Sequence, residues 1–125
     1  MGVVHRFMGN TEQDRYTWDG VEAEKYDAPG FEGVIKNVLV GPREEAPNFI
    51  IRYFQIEPGG SSRLERHPHD HGVVILNGEA RVQINEQFEQ LRPFDVVYVS
   101  GDDLHQFVNT GDKTLGFICV IKANI

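Results

Sequence analysis

The chain has a single cysteine, Cys119. No disulfide can form within it, and a reducing compartment, the cytoplasm, is the expected setting. Long apolar runs are missing too: stretches such as residues 73–76 fall far short of the ~20 residues a membrane span needs. The opening Met1-Gly2-Val3-Val4-His5-Arg6 lacks the apolar segment of a secretory signal, and Arg6 stands where myristoylation wants Ser or Thr. No cluster of Lys and Arg appears, and 12 of them against 19 Asp and Glu leave a net charge of −7, which argues against nucleic acid as a partner. No helical period is sustained and no repeat is visible. These absences leave one soluble domain of 125 residues, long enough to bury a core without staples.

What the chain does have is punctuation. Its 13 Gly and 6 Pro fall mostly between short apolar runs, the pattern of an all-β domain. Residues 1–26 read as an N-terminal arm with edge strands, including a hairpin of 16–18 with 21–26 around Asp19-Gly20, and residues 27–125 as the barrel. Strands are expected over 34–40, 49–56, 63–67, 71–76, 79–84, 87–91, 96–99, 104–109 and 114–123. Pro58-Gly59-Gly60 is expected to break the 49–56 strand, Pro68-His69-Asp70 to form a turn, and Asn77-Gly78 to close a hairpin. In residues 49–56, Phe49, Ile51 and Tyr53 share one face, while Ile50, Phe54 and Ile56 share the other. Apolar residues on both faces fit a strand covered on both sides. Short strands at this spacing indicate a sandwich or barrel.

The segment from Pro58 to Gly78 concentrates the chemistry. His67, His69 and His71 alternate, Glu65 stands two places ahead, and His105 begins a later strand. Side chains two apart share a strand face, so Glu65 and His67 point together. If 68–70 turn the chain, His71 starts the partner strand about 4.5–5.5 Å across and closes on the same point. Three imidazoles and a carboxylate from Glu65, His67, His71 and His105 suit manganese, iron(II), nickel or zinc. His69, in the turn, is the alternative ligand. A His-rich surface loop collecting adventitious metal is the competing reading. The embedding of the cluster between strand patterns argues against it.

These residues resemble the two motifs of the cupin superfamily. Gly59, Glu65, His67, His71 and Gly78 match the first at its spacing. Asp95, Ser100-Gly101-Asp102, His105 and Asn109 match the second. Glu65 stands where a His is usual, and Ser100 where a proline is. The segments Leu64 to His71 and Leu115 to Val120 resemble the small single-domain, RmlC-like cupins. The resemblance implies a single-domain jelly-roll β-barrel of two antiparallel sheets, a bound divalent ion (manganese or iron, with nickel or zinc as the other candidates), a small-molecule substrate in the barrel, and a homodimer with the N-terminal extension pairing across it. It also implies that Cys119 faces the cavity, as a nucleophile or as part of its wall.

Other residues are read more simply. Tyr53, Phe54, Phe107 and Phe117 are read as core aromatics, with a substrate platform as the alternative. Gln55 is an edge residue or a donor behind the site. Arg52 and Arg63 either bind an anionic substrate or, as the simpler reading, belong to a solvated exterior; Asp102 and Asp103 shape the turn before His105, and His5 is unstructured or on the surface. The leading functional expectation is a metal-dependent cupin enzyme acting on a small oxygenated substrate, as dioxygenase, isomerase or lyase. The alternatives are a non-catalytic cupin that senses a metal or small molecule, and a lyase of sulfur-containing sugar phosphates that uses the metal and Cys119. A structural barrel stabilised by its metal is the third class.

Overall fold

The computed structural model describes residues 1–124. Nine strands follow in order: β1 (Ala23–Lys25), β2 (Glu32–Val40), β3 (Phe49–Ser61), β4 (His71–Asn77), β5 (Ala80–Ile84), β6 (Gln87–Leu91), β7 (Val96–Val99), β8 (His105–Asn109) and β9 (Leu115–Lys122). All pairings are antiparallel. The all-β jelly-roll expectation holds, but the strands do not separate into two sheets. They form one continuous hydrogen-bonded sheet, β6-β5-β8-β3-β9-β4-β7, with β2 and β1 joined at β3. The link is β3 itself. Its first eight residues pair with β9, and its last, Ser61, reaches across to Val108 of β8.

Pro58-Gly59-Gly60 therefore bends the strand instead of breaking it. Gly59 sits at φ +80°, which costs glycine little, and the register with β2 shifts between Glu32 and Val34. Residues 63–67 form no strand. Only Glu65 makes a bridge, to His105. Asn77-Gly78 forms no hairpin either, because β4 pairs with β7 and β9 while β5 pairs with β6 and β8. The turn at Gly78, φ +77°, carries the chain from one half of the barrel to the other. By contrast Asn85-Glu86 does close a hairpin, with Ile84 facing Gln87. In the arm, Trp18 pairs back with Phe7 instead of forward, and residues 23–25 pair with Asn37 to Ile35 of β2.

Inward residues of β4, β5, β7, β8 and β9 make the core, with Ile75, Ala80 and Leu115 fully buried. Burying each Val, Ile, Leu or Phe contributes about 1.5–3 kcal/mol, so this interior is what holds the curled sheet together. The arm covers the opposite face of β3. There Phe7 and Trp18 meet edge-on, Tyr16 and Trp18 pack tilted against Tyr53 at 5.7 and 5.0 Å, and Asp14 Oδ2 accepts a bond from Thr114 N. His5 is not loose on the surface: it spans the Asp19 carbonyl and the Glu44 carboxylate, both at 2.8 Å. Among the described residues no helix is long and apolar enough to cross a membrane.

Candidate metal centre and cavity

Two backbone contacts bring the distant histidines together. Glu65 and His105 exchange hydrogen bonds, N to O, at 3.1 and 2.9 Å. Asp102 N donates to His67 O at 2.6 Å, and the turn packs so closely that a Cβ on Gly101 would strike Pro68 O. That turn is held from within. Asp103 accepts from Ser100 N and Oγ and from Asn85 Nδ2, and these bonds lower its pKa, the Ser100 hydroxyl most. The reading of residues 102 and 103 as turn formers is correct, and Asp102 does more by fastening the first motif to the second. Asn109 ends β8 as a brace, donating to Ile56 O and Lys113 O and accepting from Gly111 N.

Side chains alternate inward from Glu65 through His67 and His69 to His71. His71 and His105 are each only 7% exposed. Ring centroids lie 5.3 Å apart for His67 with His71 and with His105, and 4.9 Å for His71 with His105. His69 does not leave the cluster at its bend: it stacks on His67 at 4.7 Å and lines the same cavity. Potential donor atoms fall into two overlapping triads, Glu65–His67–His105 and His67–His69–His71, each within 4.8 Å. The four expected ligands divide between the triads: Glu65, His67 and His105 share one, while His71 joins His67 and His69 in the other.

The donor set fits a divalent ion. His67 Nδ1 and His71 Nε2 approach to 3.3 Å, and the other nitrogen, His67 Nε2, stands 3.1 Å from Glu65 Oε1. Atoms bound to one ion at ~2.1 Å stand about this far apart, and since one imidazole offers one nitrogen to an ion, each pair is a separate way of meeting it. His105 Nδ1–H donates to Asp103 O, which leaves Nε2 free for a cation, the orientation that ligating histidines usually show. Burial, then the neighbouring His105, His69, Arg52 and His67, lowers the pKa of His71 to about 3. Its imidazole is therefore neutral near pH 7 and able to donate a lone pair. Burial and the same kind of neighbours lower that of His69. Glu65 Oε2 accepts from Arg63 at 2.8 Å, which orients the carboxylate and places Arg63 outside the cavity, as expected.

Behind the histidines lies a cavity of about 230 Å³, walled by Phe54, Phe107 and Phe117 and reaching Cys119. This is the small end of ligand-pocket size. Three of the four aromatics read as core therefore also form a pocket wall, while Tyr53 lies on the other side of β3. Cys119 sits on β9 directly opposite Arg52 on β3, and its Sγ is 3.4 Å from His71 Nδ1. Burial pushes the Cys119 thiol up, while the Arg52 charge and hydrogen bond pull it back.

Of the two readings of Arg52, the structure decides against the exterior one. Its Nη2 donates to Cys119 Sγ at 3.1 Å, the guanidinium lies over Phe54 at 4.8 Å, and the side chain lines the cavity. The available signal was parity, since Arg52 alternates with Ile50, Phe54 and Ile56. Gln55 faces the other way and donates to Tyr16 O under the arm, so it has no part in the site.

A curled antiparallel barrel with a His/Glu cluster at one mouth defines a class, and the family profile described as "Cupin domain" matches residues 52–121: the chain belongs to the cupin family. Among curated proteins it is similar to the 1-methylthio-D-xylulose 5-phosphate methylsulfurylase of Rhodospirillum rubrum, 37% identical over 114 residues, covering 89% of this chain and 72% of that one. Among solved structures it is similar to a cupin-2 domain from Rhodospirillum rubrum, at 35% identity and TM-score 0.80, covering 95% of this chain and 78% of that one. It is also similar to a cupin 2 conserved barrel domain protein from Rhodopseudomonas palustris, at 28% identity and TM-score 0.81, covering 98% and 81%.

Proposed function

We propose that the chain is a metal-dependent cupin enzyme that removes a methylthio group from a phosphorylated ketose, of the kind named for its Rhodospirillum rubrum relative. The observation that carries this reading is a thiol at the cavity wall within 3.4 Å of an imidazole of the histidine cluster. The 37% identity to a methylsulfurylase supports it. His67, His71 and His105 would supply nitrogens and Glu65 a carboxylate to manganese or iron, with His69 in reserve. A bound ion supplies Lewis acidity toward substrate oxygens.

Cys119 is the group for the sulfur chemistry. Its thiolate attacks the thioether sulfur, and the bond from that sulfur to the sugar C1 breaks. The electron pair stays on C1, next to the C2 carbonyl, and a proton from solvent completes the methyl group. The methylthio group is left on Cys119 as a mixed disulfide, which an added low-molecular-weight thiol reduces. His71, with Nδ1 toward Sγ, orients the thiol for this step. The test is direct. Purified protein is loaded with manganese or iron(II) and incubated with 1-methylthio-D-xylulose 5-phosphate and a small thiol, and the product is followed by mass spectrometry. Loss of the methylthio mass from the sugar is expected. An unchanged sugar under both metals, with the metal shown to be bound, would sink the reading.

A further inference from the structure

We infer that Arg52 binds a substrate oxygen that is anionic or becomes so in the reaction, carried on the carbon next to the one reacting, and holds it beside Cys119. Arg52 Nε is the one buried side-chain nitrogen or oxygen without a partner among the described residues. None of the ion pairs found among them involves Arg52 either. A charged donor shut away from water without an acceptor is costly, so such a group calls for a ligand. Two contacts position the guanidinium: Cζ lies over the Phe54 ring at 4.8 Å, and Nη2 donates to the Cys119 sulfur. Nε–H and an Nη2–H lie on the same edge of a guanidinium, the edge that receives carboxylate and phosphate oxygens side-on.

An oxygen taken up at Nε therefore sits next to whatever touches the thiol. The position fits an oxygen one carbon from the reacting centre, and it is too close for a phosphate at the far end of a five-carbon sugar. For a 1-methylthio ketose the oxygen is the one on C2, which gains negative charge as the bond to sulfur breaks. Arg52 thus acts as an oxyanion donor, in a chain whose net charge of −7 would otherwise repel anions. This deepens the proposed function by assigning the recognition of the reacting end.

Because Cys119 is the only cysteine, the inference can be tested without the substrate. Iodoacetate and iodoacetamide both alkylate a thiolate with loss of iodide, but only the first carries an oxyanion on the carbon next to the reacting one. With ordinary thiols the neutral reagent is the faster. On the metal-loaded protein, iodoacetate is expected to modify Cys119 at least about tenfold faster than iodoacetamide, the factor one charge-assisted hydrogen bond supplies. In Arg52→Gln with metal content unchanged the preference should reverse, and in Arg52→Lys, which keeps charge but loses the flat edge, it should fall in between. A faster iodoacetamide reaction in the unaltered protein, an iodoacetate preference that survives Arg52→Gln, or a Cys119 inert to both reagents would each overturn it. The rate ratio also separates this inference from the reaction. A ratio as expected without turnover of the thioether sugar leaves Arg52 an oxyanion site in some other cupin reaction. Turnover without the ratio removes Arg52 alone.

Discussion

The two faces of β3 present opposite solutions to the same problem. On the face under the arm, polar groups are closed off in pairs. Tyr53 OH donates to Asn77 Oδ1 at 2.6 Å, Asn77 Nδ2 donates to Thr114 O, and Gln55 Nε2 donates to Tyr16 O. Gly116 makes the first bond feasible, since a Cβ there would collide with the Tyr53 hydroxyl. On the cavity face a charged donor is left unmatched: Arg52 Nε has no acceptor. Satisfied groups on one face stabilise the fold. The unsatisfied donor on the other is maintained at the expense of stability, which is the usual signature of a site built to bind something else.

The contrast can be broken at several points. The largest effect is expected from His71→Ala or His105→Ala: bound metal, measured by mass spectrometry of the purified protein, should fall at least tenfold, and turnover by about a thousandfold, with the far-ultraviolet circular dichroism kept. Loss of the fold instead would make the cluster a structural one. Next is Cys119→Ser. Turnover should drop by at least about a hundredfold while metal content stays within error, as the proposed role of the thiol as nucleophile and not ligand requires.

On the covered face, Tyr53→Phe removes a hydroxyl and leaves buried Asn77 Oδ1 unpaired. Urea unfolding should show about 1–3 kcal/mol lost with metal affinity unaltered. A change in metal affinity there would mean that the faces are not independent.

The smallest effect concerns acid. Burial alone would raise the pKa of Glu44, but the Arg43 side chain, the Gly41 N–H and His5 outweigh it and hold it at about 2, against an ordinary 4.5. A carboxyl lowered in the folded state stabilises fully above its unfolded value and less as pH falls through the folded one. The melting temperature of the unaltered protein should exceed that of Glu44→Gln above pH about 4.5, and the gap should close toward pH 2. A gap independent of pH would show that the His5–Glu44 clasp contributes by shape alone.

Much of this was legible in order. The spacing of Glu65, His67 and His71 and the distant His105 announced a candidate metal cluster, and Asn109 and Ser100-Gly101-Asp102 marked the second motif around it. Apolar residues on both faces of residues 49–56 announced a strand covered twice. Turn chemistry was less informative. Asn77-Gly78 shapes a corner here instead of a hairpin, because a turn residue specifies local φ and ψ but not which strand the next segment meets.

The sequence by itself determined which side chains can share a face, because strand alternation is a local property written into every second residue. Only the tertiary structure decided who faces whom. Arg52 and Cys119, 67 positions apart, become direct cross-strand neighbours through the β3–β9 register. That register is selected by the packing of the whole barrel interior, a sum over distant contacts that no short stretch of sequence contains.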